Sequence, residues 1–185
     1  DRFVGFVVED VEAWPADKRL LGRAKFKDAH TVIVTNQEGE QTQVSAKRIV
    51  IATGSRPVVL PEWQALGERL IINDDVFSWE TLPKSVAVFG SGVIGLELGQ
   101  ALARLGVKVH VFGRGNTIGG ISDPTVSAKA LEIFQQELDM HLDANTRVSL
   151  NAAGNVEVAY EQNGEQGVFE AEYLLAAIGR KPNTD

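Results

Sequence analysis

The sequence predicts an α/β fold built on a parallel sheet, and three observations carry that expectation. Residues 86–89 (Val-Ala-Val-Phe) form a short, continuous apolar run rich in valine, the pattern of a strand buried on both faces. Gly90, Gly92 and Gly95 follow it at G-x-G-x-x-G spacing. Ile94, Leu98, Ala101, Leu102 and Leu105 then recur at three- and four-residue intervals, as on one face of a helix. Gly106 closes that helix and Val107 to Phe112 reads as a second strand. Strand, glycine turn, helix and strand in this order define a Rossmann-type βαβ nucleotide-binding unit. In such a unit Gly90 makes the tight turn and Gly92 lets the backbone approach a pyrophosphate. Gly95 lets the helix pack closely on the strand. The amides around Ser91, Val93 and Ile94 open the helix without intrahelical partners at the positive end of its dipole, which suits a phosphate.

Composition bounds the rest. The chain has 185 residues, 44% hydrophobic and 23% charged, with a net charge of −7. That balance is ordinary for a globular domain and argues against nucleic acid or an acidic membrane as the main partner. No apolar run approaches the roughly 20 residues of a membrane span. No basic-plus-apolar leader opens the chain, so the expected compartment is cytoplasmic. Absence of cysteine excludes disulfides, zinc–thiolate sites and a thiol nucleophile from these residues. Met140 is the only methionine and the chain opens at Asp1, as expected of a piece of a longer protein.

Taken in order, Phe3 to Val11 reads as a short amphipathic helix that Trp14-Pro15 stops. Leu20–Phe26, Thr31–Thr35 and Gln41–Ala46 read as a β-meander with a turn at Asn36–Gly39. Residues 48–52 read as an apolar strand running into Gly54 and Pro57. Ile71-Ile72 is a short strand, and residues 73–79 form a capped single turn. Beyond the βαβ unit lies a glycine-rich loop, residues 113–120. Asp123-Pro124 then starts a helix expected to reach Leu138. Thr146–Leu150, Val156–Tyr160 and Val168–Tyr173 are strands with turns at Gly154 and Gly164, and a last strand covers residues 174–178. Its exit, Gly179-Arg180-Lys181-Pro182, repeats the strand–Gly–Arg–Pro form of Gly54-Ser55-Arg56-Pro57. Two such exits bracketing a βαβαβ unit are expected when one nucleotide domain is inserted into another. His30, His110 and His141 show no metal-ligand or triad spacing and read as isolated, solvated or packed side chains.

The order of these motifs resembles the pyridine nucleotide–disulfide oxidoreductases, most nearly their dihydrolipoamide dehydrogenase branch. Residues 51–57, 90–99, 118–120 and 178–183 carry the resemblance. It implies an FAD domain interrupted by an NAD(P) domain. Residues 1–57 would be the last part of the first section of the FAD-binding domain, with Thr53 and Gly54 near the flavin nucleotide. Residues 58–178 would be the NAD(P)-binding domain, and residues 179–185 the return into the FAD domain. The resemblance further implies a homodimeric parent enzyme that exchanges a hydride between NADP or NAD and FAD and acts on a disulfide substrate. It places Glu97 by the nicotinamide, Val148 on the adenine side and Gly179 at the cofactor. The family's FAD fingerprint, redox cysteine pair and histidine–glutamate pair are not among these residues, so the chain alone is expected to bind the nicotinamide dinucleotide without retaining flavin or turning over.

One position departs from the NAD-using pattern. Where those enzymes carry Asp or Glu for the adenosine ribose, this chain has Gly113 followed by Arg114. An arginine there matches a 2′-phosphate, so the pattern is closer to the NADPH-using members. Two other readings remain open at this point: a flavoprotein without disulfide chemistry, and a stand-alone dinucleotide-binding module. A closely spaced cysteine pair preceding Asp1 would separate the first from the disulfide reductases.

Overall fold

The computed structural model describes residues 2–184, which fall into two compact units that divide between Ala52 and Thr53. The first unit opens with helix α1 (Arg2–Glu12), where the amphipathic pattern predicts one. A three-stranded antiparallel meander follows: β1 (Arg23–Asp28), β2 (Thr31–Thr35) and β3 (Gln41–Ser45). Ile33 of the central strand pairs with Lys25 and Gln43. The Asn36 side chain shapes the β2–β3 turn by accepting from the Glu40 amide at 2.8 Å, with Gly39 at φ 85°.

Residues 48–52 are not a strand. Among the described residues no neighbouring strand pairs with them, and Val50 and Ile51 are exposed at 87% and 58%. An apolar run becomes a strand only where a ladder satisfies its amides.

The second unit begins with β4 (Ser55–Pro57) and a 3₁₀ segment over Pro61–Arg69, then β5 (Leu70–Ile71) and a 3₁₀ turn over Asp75–Ser78. Asp75 does not cap that turn; its carboxylate accepts from the amide of Ile72 at 2.8 Å. Then come β6 (Ser85–Phe89), α2 (Val93–Arg104) and β7 (Lys108–Gly113). Helix α3 (Pro124–Phe134) is followed by β8 (Asp139–Leu142). The chain ends with β9 (Asn145–Leu150), β10 (Val156–Gln162), β11 (Glu165–Ala171), β12 (Tyr173–Ala176) and β13 (Arg180–Pro182).

Five strands make one parallel sheet in the order β5-β12-β6-β7-β8. Strand alternation divides its side chains between two cores. Val86, Val88, Val109, Val111 and Leu175 face Leu102 of α2 and Leu138. Ala87, Phe89, Phe112, Leu174 and Ala176 face Val156, Val158 and Phe169 of the antiparallel β9–β11 meander. The result is a helix–sheet–sheet sandwich in which each fully buried valine or leucine contributes roughly 1.5–3 kcal/mol. Helix α2 ends in a Schellman turn: Gly106, at φ 91°, donates to the carbonyl of Ala103, and Val107 donates to that of Leu102.

Three sequence expectations are corrected here. Helix α3 stops at Phe134 rather than Leu138, and the missed edge strand β8 uses residues 139–142. Leu138 still packs in the core, which is why its spacing looked helical. The last parallel strand ends at Ala176, not Ile178. His110 and His141 are not isolated: their Nδ1 and Nε2 atoms lie 2.9 Å apart on neighbouring strands. The two strand–Gly–Arg–Pro exits also meet, since β13 pairs antiparallel with β4 through Arg180–Pro57, Lys181–Arg56 and Pro182–Ser55.

At the start of α3 the Asp123 carboxylate accepts from the amides of Thr125 and Val126 at 2.8 and 3.0 Å. None of this helix's residues is fully buried, although Ala130, Leu131 and Phe134 are partly buried against the core. Asp123→Ala is expected to cost about 1 kcal/mol, read by urea titration of the two proteins.

Candidate functional site

At the carboxyl ends of β6, β7 and β12 the parallel sheet opens into a cleft of about 1040 Å³. Strand order reverses at β6, since β7 and β8 lie on one side and β12 and β5 on the other. Such a switch point places a crevice outside the strand ends. Trp63 and Phe89, 4.9 Å apart, and Phe112, stacked on Phe89 at 5.0 Å, give the cleft an aromatic floor.

The three fingerprint glycines have different structural needs. Gly90 sits at φ 119°, and a Cβ there would lie 2.2 Å from the carbonyl oxygen of Ala177. Gly95 is buried, and its Cβ would lie 1.9 Å from the carbonyl oxygen of Gly90. Both are therefore glycine because the backbone leaves no space. Gly92 differs: its φ is −74°, and nothing lies within 4 Å of where its Cβ would stand. The fold does not require a glycine at 92, and a side chain there would project into open space at the cleft.

Helix α2 starts at this point with no side-chain cap. Its first intrahelical bond runs from the Leu96 amide to the Gly92 carbonyl, leaving the preceding amides without intrahelical partners. The contrast with the carboxylate-capped start of α3 is direct. Three arginines line the cleft: Arg114 beyond β7, Arg147 on β9 and Arg180 on β13. Arg180 is engaged by Ser55 Oγ at 2.8 Å, by the Ser55 carbonyl at 2.6 Å and by Asn73. Arg114 and Arg147 are exposed and have no hydrogen-bond or ion-pair partner among the described residues.

Of the positions singled out from sequence, the cleft brings together Gly90, Ser91, Gly92, Val93, Ile94, Gly113, Arg114, Val148 and Gly179. Gly95 lies beneath the turn, and Glu97 is exposed on α2 outside the cleft lining. Thr53 and Gly54 also lie outside it. The Thr53 hydroxyl donates to the Asn183 carbonyl, and the Gly54 carbonyl accepts from the Asn183 amide at 3.0 Å. Sequence reasoning missed Arg147 and Trp63, which reach the cleft only through the β9–β11 meander and the 3₁₀ segment. Among the described residues no group of histidines and carboxylates has the arrangement of a metal site. None of the described helices is long and apolar enough to cross a membrane.

The parallel sheet, its switch point and the helix that follows β6 define a Rossmann-type α/β fold. Residues 16–185 match the family model for pyridine nucleotide-disulphide oxidoreductases, and the chain belongs to that family. It is 35% identical over 167 residues to dihydrolipoyl dehydrogenase of Geobacillus stearothermophilus, covering 90% of this chain and 35% of that protein. Mercuric reductase of Shigella flexneri is 34% identical over 177 residues, covering 94% of this chain and 31% of the relative. Among solved structures, LpdA of Mycobacterium tuberculosis superposes with a TM-score of 0.72 at 27% identity, over 89% of this chain and 37% of that one. The chain thus spans about a third of the length of the curated relatives it matches.

Proposed function

We propose that this chain supplies the nicotinamide-dinucleotide domain of an FAD-dependent disulfide oxidoreductase of the dihydrolipoamide dehydrogenase type. The observation that carries the reading is the uncapped start of α2 beside Gly92, a glycine that neither backbone geometry nor packing demands. The residues present fit a dinucleotide: the space above Gly92 and the amides opening α2 would hold the pyrophosphate. Gly113 and Arg114 would meet the adenosine ribose and its 2′ substituent, with Val148 beside the adenine. Gly179 would lie toward the other end of the cleft. When bound, the nicotinamide would supply hydride transfer, and these residues would bind and orient the dinucleotide. Glu97, exposed on the second turn of the helix, is assigned to the nicotinamide end on the family resemblance alone. Residues 1–57 and 179–185 would belong to the flavin domain and residues 58–178 to the inserted nicotinamide domain. The G-x-G-x-x-G fingerprint occurs once in the sequence, so the FAD would be held chiefly by the rest of the protein. The disulfide substrate, a homodimeric assembly and a cytoplasmic location belong to the same proposal and rest on the family.

The adenosine end favours NADP(H) over NAD(H). The carboxylate among the cleft-lining residues is Glu62 of the 3₁₀ segment rather than a residue of β7, and Asp143, next to Gly113, has its carboxylate engaged by the Gly115 amide at 3.2 Å. The exposed Arg114 guanidinium has no hydrogen-bond or ion-pair partner among the described residues. A charge-assisted hydrogen bond is worth about 1.5–3 kcal/mol, so one arginine gives a ten- to roughly hundredfold preference, with solvent exposure pushing it to the low end. Arg114→Ala is expected to weaken NADP(H) binding about tenfold while leaving NAD(H) nearly unchanged. Calorimetric titration of both nucleotides at fixed ionic strength tests this. Tighter binding of NAD(H) by the unsubstituted protein overturns the preference, and absence of binding by either nucleotide overturns the domain assignment.

A further inference from the structure

The fingerprint residue Ser91 and the strand-end residue Gly113 are in contact in a way that their sequence separation hides. A Cβ added at Gly113 would lie 2.5 Å from Ser91 Oγ, 2.8 Å from Ser91 Cβ and 2.8 Å from Leu142 Cδ2. Leu142, 6% exposed in the core, presents only a terminal methyl. Ser91 is the nearer obstacle, and it is held in place. Its hydroxyl donates to the Thr117 carbonyl at 3.0 Å, its own carbonyl accepts from the Gly119 amide at 2.7 Å, and the residue is 8% exposed. The other side is equally fixed. Gly113 pairs with Leu142 in the sheet, and its carbonyl accepts from the Asp143 amide at 2.8 Å.

We propose that Ser91 is a specificity-determining residue: by occupying the space over residue 113 it admits only glycine there and so bars a ribose-binding carboxylate from the end of β7. Any acidic side chain must begin with the Cβ that Ser91 excludes. The adenosine end of the cleft is then left to Arg114, which selects a dinucleotide bearing a phosphate on its adenosine ribose. This deepens the reading of the cleft given above and rests on it. Cofactor choice is set by a coupled pair, one member inside the glycine turn and one at the neighbouring strand end. A change at 113 alone therefore cannot convert the site.

The test combines stability with nucleotide binding in the intact protein. Gly113→Ala is expected to lower the melting temperature by about 5 °C or more, and to do so much less in a Ser91→Gly background, a non-additivity that reports the contact. Gly113→Glu alone loses stability and gains no NAD(H) affinity. Ser91→Gly with Gly113→Glu binds NAD(H) at least about tenfold more tightly than the parent, through hydrogen bonds from the ribose hydroxyls. Additive melting shifts, or an NAD(H)-preferring Gly113→Glu single variant, overturn the proposal. The melting cycle requires no nucleotide. A parent protein that ignores dinucleotides therefore defeats the functional reading while the Ser91–Gly113 contact is still judged separately.

Discussion

Gly92→Val is expected to lower affinity for a nicotinamide dinucleotide at least about a hundredfold, or about 2.7 kcal/mol, while the protein stays folded. The backbone at 92 is extended (φ −74°, ψ 179°), a conformation valine accepts, and no atom lies within 4 Å of the added Cβ. The cost to the fold is limited to replacing glycine at the helix N-cap by a β-branched residue, about 1 kcal/mol. The cost to the ligand is steric, because the isopropyl group would stand where the start of α2 meets a pyrophosphate. Gly95→Ala is the opposite control. Its methyl carbon would lie 1.9 Å from the carbonyl oxygen of Gly90, a backbone atom held in the turn, so it should destabilise by about 3 kcal/mol. Titration and thermal melting of both variants separate the roles. Unchanged affinity in Gly92→Val would make the glycine turn a structural feature only.

Legibility from sequence followed the range over which each signal acts. The β6–α2–β7 unit was legible because its strand, glycine spacing and helical face are local patterns with one low-energy arrangement. Strand β8 was not, because Leu131, Phe134 and Leu138 continue a helical spacing past the point where α3 ends. Residues 48–52 carry strand composition yet stay unpaired, because composition describes a preference and pairing depends on a neighbour. The same division holds in the cleft. Its glycines are legible from spacing. Arg147 and Trp63 reach it only through topology, and nothing in their flanking residues marks them. Gly113 shows the limit most clearly: its departure from the acidic pattern is readable, whereas its physical cause, Ser91, appears only once β7 lies beside the glycine turn.

The last expected effect concerns pH and arises from the pairing of His110 with His141. His110 stacks on Phe169 with ring centroids 3.7 Å apart, and its side chain is only 12% exposed. Burial pushes its pKa down to about 4, with Asp139 opposing that shift and His141 and Lys108 adding to it. Asp139 Oδ2 lies 3.3 Å from Nε2, yet that nitrogen makes no hydrogen bond, and burial outweighs the charge of the largely exposed carboxylate. Burial lowers the pKa of His141 as well, against a hydrogen bond with Gln162 and the charge of Asp139. Both rings are therefore neutral in the fold at pH 7, and the 2.9 Å contact joins a donor nitrogen to an acceptor nitrogen. In the unfolded chain each histidine titrates near its ordinary value of about 6.5. A histidine with a depressed folded pKa contributes stability that is fully present above the unfolded value and is lost as pH falls through the folded one. For His110 that window runs from about 6.5 down to about 4, and the loss across it amounts to about 3 kcal/mol. Urea titrations at pH 7.5 and 4.5 should show the decrease. His110→Phe, which keeps an aromatic ring against Phe169 and removes the titrating group, should flatten it. If the parent and His110→Phe lose the same stability between those pH values, protonation of this pair does not govern the acid response of the domain.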